Sequence, residues 1–180
     1  MGFSFNFRLE KKKPRKYISE RKIKLRVREL AKQINKDYSG KCPVFIGVLN
    51  GSFIFLADLI RELSIECEID FLKLSSYGDS MISSGKVKLL KDLNAEIKGR
   101  DVVIVEDIVD TGLSLKFIKN LITGAKPKSL RFATLLFKKD ISKLKFKIDY
   151  VGFEIPNEFV VGYGLDFAQR YRNLKGIYVF

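Results

Sequence analysis

One short stretch of the sequence concentrates residues that could carry out chemistry. In VVIVEDIVDTGLS, residues 102–114, four apolar residues lead into Glu106 and Asp107, and Asp110 and Thr111 follow after two more apolar residues. Backbone N–H groups and hydroxyls at the start of a helix form a cradle for an anion. Asp110 or Thr111 could instead simply cap that helix, but capping does not explain three clustered acids. The stretch predicts a ligand with phosphate and hydroxyl groups, bound together with a metal ion.

The elements that must position these acids follow from hydrophobic patterning. Short apolar runs alternate with amphipathic segments, which predicts an α/β domain with a mostly parallel sheet. Strands are expected at residues 44–49, 66–74, 87–90, 101–109, 130–137, 150–155, 159–164 and 177–180, and helices at 19–36, 53–63 and about 113–122. The carboxyl edge of such a sheet binds the ligands of α/β proteins. Glu106 and Asp107, as neighbours in a strand, should project to opposite sides there.

Three local features add detail to this pattern. Ser19 precedes the first helical segment and is its expected N-cap. The run 66–74 alternates Cys67, Ile69 and Phe71 with polar residues, which predicts a strand with one exposed face. Residues 75–86, SSYGDSMISSGK, are rich in Ser and Gly and have no apolar period, so we expect a long functional loop.

The composition indicates one domain and excludes several kinds of site. A chain of 180 residues with 46% hydrophobic content can bury one core but not two. The sequence has no histidine, which excludes His-based triads and zinc sites built on His and Cys. Cys42 and Cys67 form no CxxC pair, and we expect both to be small buried residues in a reducing cytoplasm. We expect neither a membrane span nor a secretory signal.

The net charge of +13 is concentrated in two stretches. Residues 8–28 contain eleven Lys and Arg against Glu10 and Glu20, and residues 138–147 contain five lysines against Asp140. Such a surface attracts nucleic acid, anionic membrane or polyanionic small substrates, or is simply solvated, and composition does not choose among these.

Several blocks of the sequence resemble a known family. VEDIVDTGLS (105–114) resembles the signature of the type I phosphoribosyltransferases. The chain from about residue 40 onward is similar to their hypoxanthine-guanine branch, in VLNGSFIF (48–55), SSYGDS (75–80), ATLLFK (133–138) and VGFEIPNEFVVGYGLDFAQRYR (151–172). The resemblance implies a twisted, mostly parallel sheet flanked by helices, with a small hood formed by the N- and C-terminal segments. It also implies one catalytic domain over 1–180, preceded by a basic extension at 1–16 that we expect to be dispensable for chemistry.

By the same resemblance, the substrates are phosphoribosyl pyrophosphate and a 6-oxopurine base, and the enzyme is a cytoplasmic homodimer or homotetramer that uses Mg²⁺ and binds neither nucleic acid nor membrane. Glu106 and Asp107 would hold the ribose hydroxyls and magnesium, and Asp110 would be the general base. The 5′-phosphate would be received by Asp110, Thr111, Gly112, Leu113 and Ser114.

The resemblance assigns the remaining contacts to other parts of the chain. Lys138 would donate to the 6-oxo oxygen of the purine. The other purine contacts would be Ile108, Phe159, Val160, Leu165 and Asp166. Asp166 would also hold a second magnesium ion. Asn50, Gly51 and Arg172 would bind the pyrophosphate, and Ser76 and Tyr77 would form the tip of a lid over residues 75–86.

Plainer interpretations of these residues stay open at this point. Phe159 and Leu165 could be core residues, and Lys138 could be a solvated charge within a lysine run. Position 50 is Asn where many relatives carry Lys or Arg, so the amide brings no charge to that site. The alternatives to this function are a phosphoribosyltransferase that prefers xanthine or adenine, and a nucleic-acid-binding regulator on the same scaffold. The sequence does not rank hypoxanthine, guanine and xanthine.

Overall fold

The computed structural model describes residues 13–76 and 87–180. Tyr77 and most of the expected lid therefore lie outside the described residues, as do residues 1–12. In chain order the described elements are β1 (Arg15–Ile18), α1 (Glu20–Asp37), β2 (Val44–Leu49), α2 (Phe53–Arg61), β3 (Glu68–Ser76), β4 (Val87–Lys91), β5 (Asp101–Val109), α3 (Leu113–Gly124), β6 (Ser129–Phe137), β7 (Tyr150–Glu154), β8 (Val160–Val161) and β9 (Ile177–Val179).

The main sheet has six strands in the order β4-β3-β2-β5-β6-β7. All neighbouring pairs are parallel except β3 and β4. The chain leaves β2 through α2 to β3 on one side, and leaves β5 through α3 to β6 on the other. The direction of winding therefore reverses between β2 and β5, and the carboxyl ends of these two strands border the crevice that α/β folds use for ligands.

Strand β5 is buried on both faces of the sheet. Val103 and Val105 belong to the core cluster that packs α1 and α2 against one face, and Val102 and Ile104 belong to the cluster under α3 on the other. This near-continuous apolar run is typical of a central parallel strand. It fixes the position of the residues that follow, Glu106 onward, at the carboxyl edge.

A second, smaller sheet of three antiparallel strands joins the two ends of the described chain in the order β1-β9-β8. This is the hood that the family resemblance implied. Strand β1 is absent from the expected elements because Ile18 is its one buried residue, so no apolar pattern marks it. Its register with β9, from Arg15 opposite Val179 onward, is a contact between distant parts of the sequence.

The element boundaries agree with the hydrophobic pattern to within about two residues, with one exception. The expected strand at 159–164 shortens to Val160–Val161. Gly162, Tyr163 and Gly164 have φ values of +98°, +51° and +99°, a conformation that a β-strand cannot accommodate. Ser19 is the N-cap of α1, as expected, and its hydroxyl accepts a hydrogen bond from the Lys22 N–H at 3.3 Å.

Two expectations about burial were wrong. Cys42 is exposed and Cys67 half-buried. On β3, Asp70 and Leu72 are buried while Ile69 is 43% exposed. The Asp70 carboxylate is satisfied by the backbone N–H groups of Phe71, Asn94 and Ala95, so its burial costs little.

The hood generates a prediction about the basic N-terminus. Strand β1 takes in Arg15 and Lys16, so the informative deletions are residues 1–12 and residues 1–18. The first should leave the melting temperature within about 2 °C of the full chain. The second deletion removes β1 together with Ile18, whose buried side chain stabilises the fold by about 1.5–3 kcal/mol. This deletion should lower the melting temperature by roughly 4–10 °C. Differential scanning calorimetry of the three proteins makes the comparison, and equal melting temperatures for both deletions would contradict it.

Candidate active site

Glu106 and Asp107 lie almost closed to water at the end of β5, each 9% exposed. They face different neighbours, as expected of successive residues in a strand. Glu106 lines a cavity of about 80 Å³ at the start of α3. Asp107 faces the turn after β2, where a Cβ atom added to Gly51 would overlap the carboxylate oxygen Oδ2 of Asp107. Only a glycine at position 51 lets the chain pass this close.

Burial changes the acidity of both groups. It raises the pKa of Glu106 well above its usual range, and the negative charge of Asp107 adds to the effect. Burial also raises the pKa of Asp107 to about 6, although its Oδ1 accepts the Ile108 N–H at 2.9 Å and Arg172 attracts its charge. Among the described residues Glu106 Oε2 has no hydrogen-bond partner. A buried carboxylate oxygen without a donor is fitted to receive a hydroxyl or a cation.

The segment predicted to form an anion cradle lies where α3 begins. Gly112 has φ +84°, and a Cβ there would lie 2.5 Å from Leu144 Cγ, so backbone conformation and packing both require glycine. Thr111 and Ser114 are exposed beside it, and the first turn of α3 contains no acid. The free N–H groups of this turn and the helix dipole favour an anion. The cavity is lined by Glu106, Ile108, Val109, Asp110, Thr111, Gly112, Leu113, Ser114 and Leu115.

Lys138 contacts Asp110 across the ends of β5 and β6. Its Nζ lies 3.1 Å from Asp110 Oδ2 and 3.3 Å from Asn157 Oδ1. The lysine is 7% exposed, whereas the Asp110 side chain is half exposed. Lys138 is therefore not the solvated charge that its lysine-rich surroundings suggested. Asn157 was missed, because a lone Asn after a proline reads as an ordinary turn residue.

The apolar residues expected to contact the purine divide into core and surface. Val160 and Leu165 are buried in the core, and Ile108 packs against it. Phe159 remains 40% exposed, and its ring meets that of Phe167 at 5.7 Å between centroids in a T-shaped arrangement. Phe180 also contacts both rings. Phe159 thus presents a supported aromatic face, while Phe167 and Phe180 gave no signal in the sequence beyond their apolar character.

The residues expected at the pyrophosphate lie together at the turn after β2. Asn50 is exposed there. The turn touches the 162–165 loop so closely that a Cβ on Gly164 would overlap the carbonyl oxygen of Gly51. Arg172 donates to the Gly164 carbonyl at 2.7 Å and pairs with Asp166 at the same distance. Asn50, Gly51, Arg172 and Asp166 are therefore neighbours, although more than 110 residues separate the first from the last two.

Other features of the described chain lie outside this cluster. Ser76 is the last residue of β3, and Tyr77 falls outside the described residues. Within residues 13–76 and 87–180, no three or more acidic or cysteine side chains converge as a metal-binding group. No helix in those ranges combines the length and hydropathy of a membrane span. A larger groove of about 530 Å³ lies away from Glu106 and Asp107, between α1, α2 and the 173–175 segment.

Comparison with known proteins gives consistent results. The model of the phosphoribosyl transferase domain family matches residues 16–168. The hypoxanthine-guanine phosphoribosyltransferase of Bacillus subtilis (strain 168) is 48% identical over 160 residues, which are 89% of each chain. The bifunctional protein TilS/HprT of Listeria monocytogenes is 47% identical over 160 residues, but the match spans a quarter of that relative's length. A crystal structure of a hypoxanthine-guanine phosphoribosyltransferase from Bacillus anthracis is 49% identical and superposes with a TM-score of 0.88, covering 92% of this chain and 97% of that one.

The raised pKa of Asp107 predicts how stability depends on pH. The group titrates near 3.8 when unfolded and about 6 when folded, so its contribution to stability is full below pH 3.8 and is lost as pH rises through 6. Asp107→Asn removes the charge but keeps an acceptor for the Ile108 N–H. In EDTA at pH 8 this variant should melt a few degrees above wild type, since each pKa unit is about 1.4 kcal/mol.

At pH 5 the increase in melting temperature caused by Asp107→Asn should be clearly smaller, because the Asp107 carboxyl of folded wild type is then mostly neutral. Differential scanning fluorimetry at both pH values measures the difference. The exposed Asp140→Asn is the matched control and should change little at either pH. A gain of the same size at pH 5 and pH 8 would show that burial of charge is not its cause.

Proposed function

Because the chain belongs to the hypoxanthine-guanine branch of the phosphoribosyltransferase family, we propose that it transfers the 5-phosphoribosyl group of phosphoribosyl pyrophosphate to hypoxanthine or guanine. The products are IMP or GMP and pyrophosphate, which makes the protein a purine salvage enzyme. One observation carries the proposal. A buried ammonium, Lys138, lies 3.1 Å from the Asp110 carboxylate, directly beside the anion cradle at the start of α3.

Binding of the phosphoribosyl group is supported by the chemistry of the β5–α3 junction. The cradle of Thr111, Gly112, Leu113 and Ser114 suits the dianionic 5′-phosphate, with Asp110 on its edge. The ribose hydroxyls can donate to Glu106 and Asp107, which supplies the partner that Glu106 Oε2 otherwise lacks among the described residues. Two carboxylates near the ribose also favour the positive charge that develops on the ring as pyrophosphate leaves.

The base is held at its edge and its face. Lys138 can donate to a 6-oxo oxygen, and Phe159 offers an exposed ring for stacking. Asp110 is half exposed and lies close to the same point, so it can take the proton that the purine ring loses when its nitrogen bonds to the ribose. The Val160 carbonyl and Asp166 are the further acceptors on the base side.

The leaving group is received at the turn after β2. Arg172 supplies a forked cation suited to phosphate oxygens, and the turn at Asn50 and Gly51 supplies backbone donors. Asn50 can donate through its amide but adds no charge. Arg172 therefore contributes a larger share of the attraction for pyrophosphate than it would in a relative with a cation at position 50.

Magnesium is the implied cofactor, and the residues present fit it. Mg²⁺ is usually bound by one or two carboxylates and substrate phosphates rather than by a protein cage, which agrees with the acid pair Glu106 and Asp107 and with the separate Asp166. When bound, the ion would neutralise negative charge on the pyrophosphate as it departs.

Two wider properties belong to this proposal. We expect a cytoplasmic homodimer or homotetramer. A nucleic-acid-binding role has less support. Three of the seven basic side chains of α1 are paired with acids, since Lys24 contacts Glu20, Arg26 contacts Glu29 and Arg28 contacts Glu62.

The proposed activity is tested by pyrophosphate release with phosphoribosyl pyrophosphate, Mg²⁺ and each of hypoxanthine, guanine, xanthine and adenine. Asp110→Asn should keep ligand binding, because an amide oxygen still accepts from Lys138. It should lower kcat by roughly 10²–10⁴-fold, the usual contribution of a positioned general base. The exposed Asp140→Asn is the matched control. A kcat within about threefold of wild type, with chemistry rate-limiting, would remove Asp110 from this role.

Base choice gives a second test at Lys138. Adenine presents a 6-amino donor to the ammonium, and an unmatched buried polar group costs about 1–3 kcal/mol, more when charged. Wild type should prefer hypoxanthine over adenine by at least about 10²-fold in kcat/KM. Lys138→Gln should narrow this preference, because an amide can offer either a donor or an acceptor. The adjacent Lys139→Gln, at an exposed position, is the control. An unchanged ratio in Lys138→Gln would show that another group reads the 6-position.

A further inference from the structure

The ammonium of Lys138 is held from two sides. An ammonium has three N–H donors and no acceptor. Asp110 Oδ2, on the loop after β5, takes one at 3.1 Å, and Asn157 Oδ1, on the loop after β7, takes another at 3.3 Å. Two acceptors on different elements fix the position of Nζ, whereas a single acceptor would let Nζ move around it. The third N–H is therefore held in one direction.

The backbone brings Asn157 to this point. Strand β7 runs parallel to β6, and the Ile155 N–H donates to the Phe137 carbonyl at 2.9 Å just beyond the strand ends. A tight turn follows, in which the Glu158 N–H donates to the Pro156 carbonyl at 2.8 Å. Asn157 lies within this turn, two residues before Phe159. One turn thus places the second acceptor of Lys138 next to the exposed aromatic face.

We propose that Asn157 is a positioning residue for base choice: it holds Lys138 so that the remaining N–H points at the 6-oxo oxygen of the purine. This rests on the proposed function. Asp110 alone would let the ammonium swing toward the exposed side of its carboxylate. The amide oxygen of Asn157 is a second acceptor, on another loop, that prevents this movement.

The contact itself is tested in the unliganded protein. Reductive methylation with formaldehyde and borohydride, read by mass spectrometry of non-tryptic peptides, compares the reaction rates of Lys138 and the exposed Lys139. Asn157→Ala should speed labelling of Lys138 by up to about tenfold, the equivalent of one charged hydrogen bond of about 1.5 kcal/mol. Lys139 should be unaffected. Asn157→Asp keeps an acceptor at the same reach and should leave Lys138 protected, as should the control Glu158→Ala in the same turn.

The functional role is tested by steady-state kinetics of the same proteins. Asn157→Ala should raise KM for hypoxanthine by about tenfold and reduce the preference for hypoxanthine over adenine. Its KM for phosphoribosyl pyrophosphate should stay within about twofold of wild type, since that substrate binds elsewhere in the site. Asn157→Asp should restore most of the preference, and Glu158→Ala should match wild type.

Three results would contradict the proposed role of Asn157. An Asn157→Ala protein with wild-type labelling of Lys138, or with unchanged hypoxanthine KM and base preference, overturns the proposal. If Asn157→Ala and Asn157→Asp lose the base preference equally, Asn157 serves the shape of the turn instead, and the proposal is again overturned. A wild-type protein that forms no nucleotide refutes the proposed function and with it the role in base choice. The labelling result then still shows whether Asn157 holds Lys138.

Discussion

Strand β5 carries two adjacent carboxylates into a region nearly closed to water, and the neighbouring loops are arranged around that constraint. Desolvation of a carboxylate is costly unless donors replace the lost water. The Asp107 carboxylate accepts a hydrogen bond from the Ile108 N–H and is stabilised by the positive charge of Arg172. Glu106 Oε2 accepts no hydrogen bond from the described residues. The free protein therefore holds acids whose charge is poorly compensated. A ligand that supplies hydroxyl donors or a cation relieves this cost, so the site gains affinity from an instability of the unliganded state.

Close backbone approach keeps this region compact. Gly51 passes against the Asp107 carboxylate, and Gly164 passes against the Gly51 carbonyl. These three segments come from β2, β5 and the loop before β9, and side chains at the two glycines would push them apart. The contact ties Arg172 to the same place, because its guanidinium donates to the Gly164 carbonyl. The cation and the acids thus occupy fixed positions relative to one another before any ligand arrives.

The end of the crevice where we propose that the base binds is arranged differently. Here the charges are paired, since Lys138 and Asp110 compensate each other at 3.1 Å, and the turn after β7 adds both Asn157 and the exposed Phe159. Charge compensation makes the buried lysine tolerable, and the Asp110 side chain remains half exposed to solvent. One end of the crevice therefore holds carboxylates without full compensation, where we propose that phosphate, ribose and cation bind. The other end holds a compensated pair, where we propose that the purine ring binds.

The sequence by itself determined the central elements and the acid cluster, because both are local patterns. The run 101–109 is apolar enough to be a buried strand, and Glu106, Asp107 and Asp110 follow at its end. The same local reasoning failed where distant segments decide the outcome. Strand β1 exists because β9 pairs with it, and the segment 159–164 cannot continue as a strand once Gly162 to Gly164 turn to positive φ. Cys42 and Ile69 are exposed although their residue types are usually buried.

Tertiary structure alone decided which polar groups meet. Nothing in the spacing of Asp110, Lys138 and Asn157 along the chain indicates that one ammonium lies between two acceptors, because their contact depends on the order β5-β6-β7 in the sheet. The same is true of Asp166 and Arg172 beside the turn at Asn50. Residue type sets what a group can donate or accept, but the direction in which it does so is set by the elements that carry it, and those elements are brought together only by burying the apolar faces of the whole sheet.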